Sequence, residues 1–527
     1  MHTLLPFLLA MVIAIVLLEM WAVKLRIAYP ILLVVAGLGV SLIPGLPPVK
    51  IDPDLIFFIF LPPLLCEASW AISFKEMKKW WRIIGSFAFL VVFFTALSVA
   101  LVTNHFIPGF SIALGFLLGG IVSPPDAVST GAIMKFVKIP KSTSAILEGE
   151  SLLNDASSLI IFRFALVAVG TGQFIWHEAA LSFLWMVLGG AGIGLLLALL
   201  FMETHKRLPT DAPSDIALTL VAPYLMYWVA EQFHSSGVLA VVSGSLLLSA
   251  RRLLFLNSAS RVRGYSVWES FVFILNGVVF LLIGLELPEI VAGLRGEGIP
   301  LNTAIGYGLL VTVILIAARM ISSYAAMIAT LIFRPSVAPR AASGRNRFLV
   351  PLLLGWTGMR GVVSLAAALA IPITLADGTA FPQRNLILFI TFVAILLTLV
   401  VQGLTLPYFI KRSKAFDNDT SEAHEALTRR EMKKGLRQHV LRFLKEKQEK
   451  ELLGHAGMEK ILAQWEERSK AADESRMDEQ TKAIFVGMLE SQRQYLTGLN
   501  KDPKIDEEII RRQLYQIDLE EERLKII

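Results

Sequence analysis

Asp155 is the residue whose type and setting most strongly indicate chemistry in this sequence. It follows Asn154 and precedes the apolar run 159–162, which is typical of a membrane-spanning helix. A carboxylate within such a helix costs roughly 2.5–3.5 kcal/mol on insertion scales, so it usually pairs, binds an ion or carries a proton. A second acid, Asp126, follows Pro124-Pro125 in the preceding apolar segment. Two membrane acids beside a proline-broken helix predict a cation or proton site.

Hydroxyl groups share the helix face of Asp155. Ser151 lies one turn before it and Ser158 about one turn after it, because residues three or four apart occupy the same face. Hard metal cations prefer oxygen ligands, and Na⁺ is such a cation. We therefore predict Asp155, Asp126 and Ser151 as cation ligands, with carbonyls released at the double-proline break completing the shell.

A buried carboxylate of this kind can hold one cation or one proton, but not both. Burial disfavours the bare charge, so Asp155 is expected to be neutralised by one or the other. Alternating exposure of Asp155 to the two sides of a membrane would then exchange the two ions. In the alternative interpretation, Asp155 is only the structural partner of a buried arginine, for which Arg163 and Arg360 are available.

Three further polar residues have candidate roles near this carboxylate. Glu150 can bind the ion or pair with Arg360, and we favour the pair because a lone membrane arginine needs a partner. Asn154 is predicted to be a hydrogen-bonding strut for the broken helices. Glu67 follows the proline-interrupted stretch FLPPLLC, and we predict that it lines the cytoplasmic route to the site.

The composition divides the chain into a membrane part and a charged tail. Of the 527 residues, 55% are hydrophobic and only 17% are charged, against about 25% charged in ordinary soluble domains. From residue 411 onward there are 24 Lys and Arg against 24 Asp and Glu, so the net charge of +6 belongs to residues 1–410. We predict a transmembrane domain over 1–410 and a cytoplasmic helical domain over 411–527.

The transmembrane domain is predicted to be an all-α polytopic membrane protein with thirteen spans. Each span needs roughly 20 mainly apolar residues. The candidates are 3–22, 27–46, 54–72, 83–103, 109–134, 145–169, 180–202, 215–232, 236–250, 267–291, 303–333, 350–375 and 386–410.

The charges of the loops between these spans predict their orientation. Taken alternately, one set of loops carries nineteen Lys and Arg residues and the other carries three, namely Lys50, Arg295 and Arg384. Cytoplasmic loops carry the excess of positive charge. We therefore expect the N-terminus outside, the C-terminus in the cytoplasm and an odd number of spans in a plasma membrane. The membrane also explains the basic excess, so no nucleic acid partner is expected.

An odd span count permits two inverted six-helix repeats on either side of span 7. Interrupted helices at matching positions of such repeats mark the binding site in transporters. The fifth span carries Ser123–Asp126, and its counterpart, the twelfth, carries Gly355–Gly361. We expect these two broken helices to cross near Asp155.

Other features of the sequence indicate no further chemistry. Cys66 is the only cysteine, which excludes an internal disulfide. The eight histidines show no metal-ligand spacing, and His205 is expected to be an ordinary solvated residue. We find no nucleotide-binding or resident-metal motif in the tail, and we expect neither a cofactor nor enzymatic activity.

At these residues the chain resembles the cation/proton antiporter-1 family, and specifically its NhaP-type sodium/proton antiporters. The matching stretches follow the expected order through residues 1–410, and they are FLPPLLCE (60–67), SPPDAV (123–128), ESLLND (150–155), ESFVFILNG (269–277) and GWTGMRG (355–361). Together these motifs are highly specific, although any one alone would not be.

The resemblance implies a thirteen-helix homodimer in which a core domain moves like an elevator against a dimerisation domain. It implies that Asp155 carries the ion and the proton, with Asp126 and Ser151 near the ion and Glu150 and Arg360 as a stabilising pair. An Asn-Asp pair in this family goes with electroneutral one-for-one exchange of Na⁺, or Li⁺, for H⁺.

One departure from the family pattern bears on ion choice. Many relatives have threonine just before the acid of the fifth span, where this chain has Pro125. Exchange of K⁺ for H⁺ by the same machinery is therefore an alternative. A cation channel is disfavoured by the inverted-repeat pattern. A non-transporting sensor would need an output motif in the tail, and none is recognised.

Overall fold

The computed structural model describes the chain in segments separated by gaps. They are residues 4–25, 27–43, 53–72, 74–134, 141–172, 176–208, 211–333, 346–375, 377–413, 435, 438–439, 442, 479–499, 513–514, 516–517 and 519–521. The chain forms two compact units, Met1–Asp417 and Asn418–Ile527. Several predicted positions, including Lys50 and most of the tail, lie outside the described residues.

The first unit is helical, and its described residues hold no β-strand. Its helices are α1 Leu4–Leu25, α2 Tyr29–Ser41, α3 Pro53–Ala71, α4 Phe74–Ser86, α5 Val92–Phe106, α6 Ile112–Val122, α7 Ala127–Met134, α8 Lys141–Thr171, α9 Trp176–Arg207, α10 Ala212–Gln232, α11 Gly237–Phe255, α12 Ser258–Leu285, α13 Leu287–Gly296, α14 Leu301–Phe333, α15 Asn346–Trp356, α16 Val362–Leu369, α17 Arg384–Leu397 and α18 Gly403–Ser413. Each of the thirteen predicted apolar segments overlaps one of these helices or two consecutive ones, and the number of spans stays a prediction. By length and composition, seven helical stretches of the described residues could cross a membrane.

Two helix pairs join through π-helical turns, Phe87–Val91 between α4 and α5 and Thr398–Gln402 between α17 and α18. Such turns widen the helix and frequently occur at functional sites. The hydroxyl of Ser157 on α8 donates to the carbonyl of Ala88 in the first turn. In the second turn, the hydroxyl of Thr398 accepts from the backbone N–H of Arg360 at 3.1 Å. Both turns therefore contact segments that carry predicted site residues.

Polar side chains begin several of the helices. Ser111, Asp211, Ser236 and Asn257 cap α6, α10, α11 and α12, and each accepts a hydrogen bond from a backbone N–H three residues later at 2.8–3.2 Å. Such caps satisfy donors that the first helical turn leaves unpaired. Their positions set where these helices start.

The proline pair of the third span does not interrupt its helix, contrary to our prediction. α3 runs through Pro62 and Pro63. Pro63 has no N–H to donate to the carbonyl of Ile59, and the hydroxyl of Tyr224 on α10 donates to that carbonyl instead, at 3.0 Å. Membrane helices tolerate proline where a neighbouring side chain satisfies the freed carbonyl.

α8, which carries Asp155, lies between two buried apolar clusters. Leu152, Ala156 and Ile160 belong to a cluster shared with α3, α9, α10 and α11. Phe162 belongs to a larger cluster that includes residues of α6 and α14 to α17. α6 approaches α8 so closely that a Cβ on Gly120 would lie 2.9 Å from the backbone nitrogen of Phe162. Tight packing of this kind fixes the backbone of α8 beside the first break.

In the second unit, one long helix is described, α19 Glu479–Leu499. Leu489 and Ile517 form a small buried cluster with Leu496 packed against it. Arg493 forms ion pairs with Glu490, at 3.4 Å, and with Glu521. The described part of the tail is thus helical, as predicted.

Candidate cation and proton site

The two helix breaks predicted from the sequence are present, and they meet. The first separates α6 from α7 and the second separates α15 from α16. The backbone N–H of Asp126, in the first break, donates to the carbonyl of Met359, in the second, at 2.7 Å. The hydroxyl of Thr130 lies 3.4 Å from the carbonyl of Thr357. At this contact, a backbone N–H of the first break therefore forms a hydrogen bond with a backbone carbonyl of the second break.

Asp126 is the N-cap of α7. Its carboxylate accepts hydrogen bonds from the backbone N–H groups of Val128, at 3.2 Å, and Ser129, at 3.0 Å, and also from the Ser129 hydroxyl. A negative charge is stabilised at a helix N-terminus. Gly361 lies directly against this carboxylate, and a Cβ there would overlap it. Asp126 thus brings a negative charge, held by α7, to the point where the breaks meet.

Arg360 contacts the C-terminal end of α6, whereas Asp126 caps the N-terminal end of α7. Its guanidinium donates to the carbonyls of Val122, at the end of α6, and Gly358, in the second break. Carbonyls at a helix C-terminus carry partial negative charge and interact favourably with a cation. The buried Arg360 is thus held by carbonyls of the two breaks.

Glu150 pairs with Arg319, not with Arg360, so the predicted Glu150–Arg360 pair is wrong. The guanidinium of Arg319 donates to both carboxylate oxygens of Glu150, at 2.6 and 3.1 Å. Both side chains are almost fully buried, with exposed fractions of 3% for Arg319 and 1% for Glu150. The prediction failed because the carbonyls at the breaks already occupy Arg360, which leaves Glu150 to the arginine of α14.

Ser151 connects α8 to the first break. Its hydroxyl donates to the carbonyl of Pro125 at 3.2 Å. Asp155 lies one turn further along this face, and Ser158, another turn on, donates to the carbonyl of Asp155 at 3.0 Å. The face of α8 that carries Asp155 therefore looks toward the first break, as predicted.

The Asp155 carboxylate is buried, with 9% of the residue exposed, and no described residue hydrogen-bonds or ion-pairs with it. The two arginines that could have been its structural partners are engaged elsewhere. Arg163 pairs with Glu231 at 2.7 Å, and Arg360 contacts carbonyls. Within the described part of the chain, Asp155 is thus not the partner of a buried arginine.

Asn154 is not the strut that the sequence suggested. It is completely buried, and neither its side-chain oxygen nor its nitrogen has a hydrogen-bond partner among the described residues. Asn154 therefore places an uncharged polar group beside Asp155 without joining helices. Glu67 is half-buried on α3, which contacts both α8 and α16, and its place on the access route stays a prediction.

A small cavity of about 50 Å³ lies where α7, α8 and α14 surround the breaks. Its lining residues are Pro125, Asp126, Thr130, Gly131, Leu147, Glu148, Glu150, Ser151, Arg319 and Thr357. Neither Glu148 nor Thr130 was predicted from the sequence to lie at the site, and Arg319 was not predicted to be the partner of Glu150.

Comparison with known proteins bears on this arrangement. The sequence model of the family described as sodium/hydrogen exchanger, transmembrane, matches residues 8–412. This chain belongs to that family. It is thus a polytopic membrane protein of a transporter family, and the sodium/hydrogen exchanger match includes both breaks and Asp155.

Individual relatives match most of this chain. An uncharacterized Na⁺/H⁺ exchanger of Mycobacterium bovis is 30% identical over 98% of this chain and 95% of its own length. A sodium, potassium, lithium and rubidium/H⁺ antiporter of Bacillus subtilis is 32% identical over 72% of this chain and 57% of its own. The solved sodium proton antiporter of Methanocaldococcus jannaschii has a similar fold, with a TM-score of 0.60 at 19% identity over 77% of this chain and 98% of its own.

His205, expected to be solvated, is buried instead. Its Nδ1 lies 2.8 Å from a carboxylate oxygen of Asp215, and the other oxygen of Asp215 accepts from the Ser260 hydroxyl at 2.6 Å. All three residues are buried, and they join the end of α9 to the starts of α10 and α12. The network could not be predicted from the sequence because its three members lie on different helices, which tertiary packing brings together.

Proposed function

We propose that this exchanger transports Na⁺, or Li⁺, in exchange for H⁺ with a one-for-one, electroneutral stoichiometry. Asp155 binds the cation and the proton alternately. Asp126 and Ser151 complete the cation site, and Glu150, through its pair with Arg319, keeps the adjacent helices in place.

The observation that carries this proposal is the buried carboxylate of Asp155, which has no hydrogen-bond or ion-pair partner among the residues that the structure describes. A buried ionised carboxylate without a partner is strongly unfavourable, and such groups are neutralised by a proton or a bound ion. A bound Na⁺ or a bound H⁺ each provides one positive charge. Because both occupy the same oxygens, binding of one displaces the other.

The surroundings of Asp155 support a one-for-one exchange. Asn154 carries no charge, so α8 offers a single titratable carboxylate at this depth.

In the described residues, no group of three or more His, Cys, Asp or Glu side chains could hold a metal ion. The cation shell therefore combines carboxylate oxygens with a serine hydroxyl, backbone carbonyls of the first break and water.

Exchange of K⁺ for H⁺ is the second candidate. The Bacillus subtilis relative is named for transport of sodium, potassium, lithium and rubidium. In this chain Pro125 precedes the acid of the first break, and a proline supplies no side-chain oxygen. The lack of a side-chain oxygen at this position changes the number and kind of ligands around the cation, which can change its selectivity. K⁺ should therefore be tested beside Na⁺.

The membrane arrangement is also part of the proposal. The nineteen-to-three distribution of basic loop residues supports an external N-terminus and a cytoplasmic C-terminus in the plasma membrane. The helix pattern supports thirteen spans with two inverted repeats. The homodimer and an elevator movement of the core rest on the family resemblance, as do the separate dimerisation and core domains within residues 1–410.

Proton flux in proteoliposomes tests the function. A pH-sensitive dye reports proton movement after addition of Na⁺, Li⁺ or K⁺, for the wild type and for Asp155→Asn. The matched control is Asp377→Asn, because Asp377 is exposed and bonds only to nearby Thr379 in the described structure. We expect cation-triggered flux in the wild type and the control, and none in Asp155→Asn.

The stoichiometry needs a second readout. With K⁺ and valinomycin setting the membrane potential, one-for-one exchange of Na⁺ for H⁺ should proceed at the same rate at every potential. A rate that follows the potential would contradict electroneutrality. Undiminished flux in Asp155→Asn would overturn the assignment of the carrier.

A further inference from the structure

Glu148 lies on the same face of α8 as the proposed carrier, two turns before it. Ser144, Glu148, Ser151 and Asp155 follow one another at spacings of four, three and four residues, which keeps them on one face. At 1.5 Å per residue, Glu148 is about 10 Å from the start of α8 and Asp155 about 10 Å further in. Glu148 therefore stands midway between the helix end and Asp155.

The carboxylate of Glu148 is available for a ligand. Its only hydrogen-bond partner among the described residues is the Ser144 hydroxyl, which donates to Oε1 at 2.6 Å. No arginine or lysine whose side chain the structure describes pairs with it. The residue is half-buried, so it borders the cavity and still contacts the outside of the helix bundle.

The cavity beside Glu148 is suited to a hydrated cation. Its volume of about 50 Å³ exceeds the roughly 10–15 Å³ that one water needs. Three carboxylates, those of Asp126, Glu148 and Glu150, border it against one guanidinium, that of Arg319. When ionised, these groups give the wall a net negative charge.

A second, independent feature points to a polar occupant. The Nε of Arg319 is buried and has no partner among the described residues, and Arg319 borders the same cavity. A buried donor of this kind is usually satisfied by water. The cavity is thus expected to hold water, which a cation bound at Glu148 can keep as part of its hydration shell.

We propose that Glu148 is an outer cation-binding carboxylate, which receives the hydrated Na⁺ or K⁺ from the cytoplasmic side and passes it along Ser151 to Asp155. This inference rests on the proposed antiport. Glu148 raises the local concentration of cations beside Asp155. It does not carry the exchanged proton, so it sets the apparent affinity for the cation and leaves the stoichiometry to Asp155.

The test compares Glu148→Gln and Glu148→Asp with the wild type in everted membrane vesicles, where the predicted cytoplasmic face is outside. Glu203→Gln is the control, because Glu203 is an exposed acid at the end of α9, paired with Arg207 at 2.6 Å. Proton flux is measured over a range of Na⁺ concentrations. Cation-induced thermal stabilisation of the purified protein reports binding independently.

We expect Glu148→Gln to raise the KM for Na⁺ roughly tenfold, as the loss of one charge about 10 Å from the bound ion predicts. The maximal rate should stay within about twofold of the wild type, and Glu148→Asp should recover most of the affinity. An unchanged KM and unchanged cation stabilisation in Glu148→Gln would overturn the inference, as would loss of maximal rate at constant KM. A wild type without cation-triggered flux would instead refute the proposed antiport.

Discussion

Arg319 donates to both carboxylate oxygens of Glu150, at 2.6 and 3.1 Å, and this pair joins α8 to α14 beside the helix breaks. The two residues are 169 positions apart along the chain, and both are almost fully buried. Breaking such a pair leaves an uncompensated charge, whereas an apolar replacement of both partners is often tolerated.

The first prediction concerns this pair. Glu150→Gln and Arg319→Met should each lower the free energy of unfolding by about 3–5 kcal/mol, because each leaves the other charge buried alone. The double variant should be less destabilised than either single variant. Apparent melting temperatures in detergent measure this difference.

The exposed pair Glu203–Arg207 supplies the control for that experiment. Glu203→Gln and Arg207→Met should change stability by no more than about 0.5 kcal/mol. Equal effects at the exposed and the buried pair would show that the Glu150–Arg319 contact contributes little.

The second prediction separates the two roles of Asp126. Asp126→Asn keeps a good N-cap for α7 and removes the charge, whereas Asp126→Ala removes both. We expect Asp126→Asn to retain the wild-type melting temperature and to weaken cation binding. Asp126→Ala should in addition lose about 1 kcal/mol of stability. If Asp126→Asn and Asp126→Ala have the same melting temperature and the same cation affinity, Asp126 does not stabilise the protein as the N-cap of α7.

The third prediction uses the close contact at Gly361. Any side chain at this position would overlap the Asp126 carboxylate, so Gly361→Ala should displace Asp126 and reduce flux by more than about tenfold. Gly306→Ala on α14 is the control, since a Cβ there meets nothing within 4 Å. That control should be neutral or slightly stabilising. Full transport by Gly361→Ala would show that the breaks can shift without loss of function.

The fourth prediction concerns the buried network of His205, Asp215 and Ser260. Ser260→Ala should lower stability by about 1 kcal/mol, and Asp215→Ala by about 2–4 kcal/mol, because the latter leaves buried polar groups unpaired. Ser270→Ala on the same helix is the control, since that hydroxyl is exposed. A melting temperature that is equally low in Ser260→Ala and Ser270→Ala would contradict a structural role for the network.

The sequence predicted the apolar helices and both breaks because these depend on local composition. Pro124-Pro125 and the three glycines of 355–361 disfavour a regular helix. The placement of Ser151 and Asp155 on one face followed from helical period alone. These are short-range properties, and the structure agrees with them.

The errors concern partners that come from other parts of the chain. Nothing near Glu150 distinguishes Arg319 from Arg360, since the choice depends on carbonyls that the breaks leave unsatisfied. Likewise, a break was predicted at Pro62-Pro63, but the helix continues there. The hydroxyl that satisfies the freed carbonyl comes from Tyr224, which is distant in sequence. Tertiary contacts decided these cases, and one sequence without its relatives does not contain them.

The contact between Tyr224 and the carbonyl of Ile59 also has a consequence for how this protein can vary. An alanine at position 63 would bring back the backbone N–H, which would compete with the Tyr224 hydroxyl for the same oxygen. Tyr224→Phe should therefore lower the free energy of unfolding strongly when Pro63 is present and only slightly in a Pro63→Ala background. Positions 63 and 224 are therefore coupled: the substitutions tolerated at either one depend on the residue at the other.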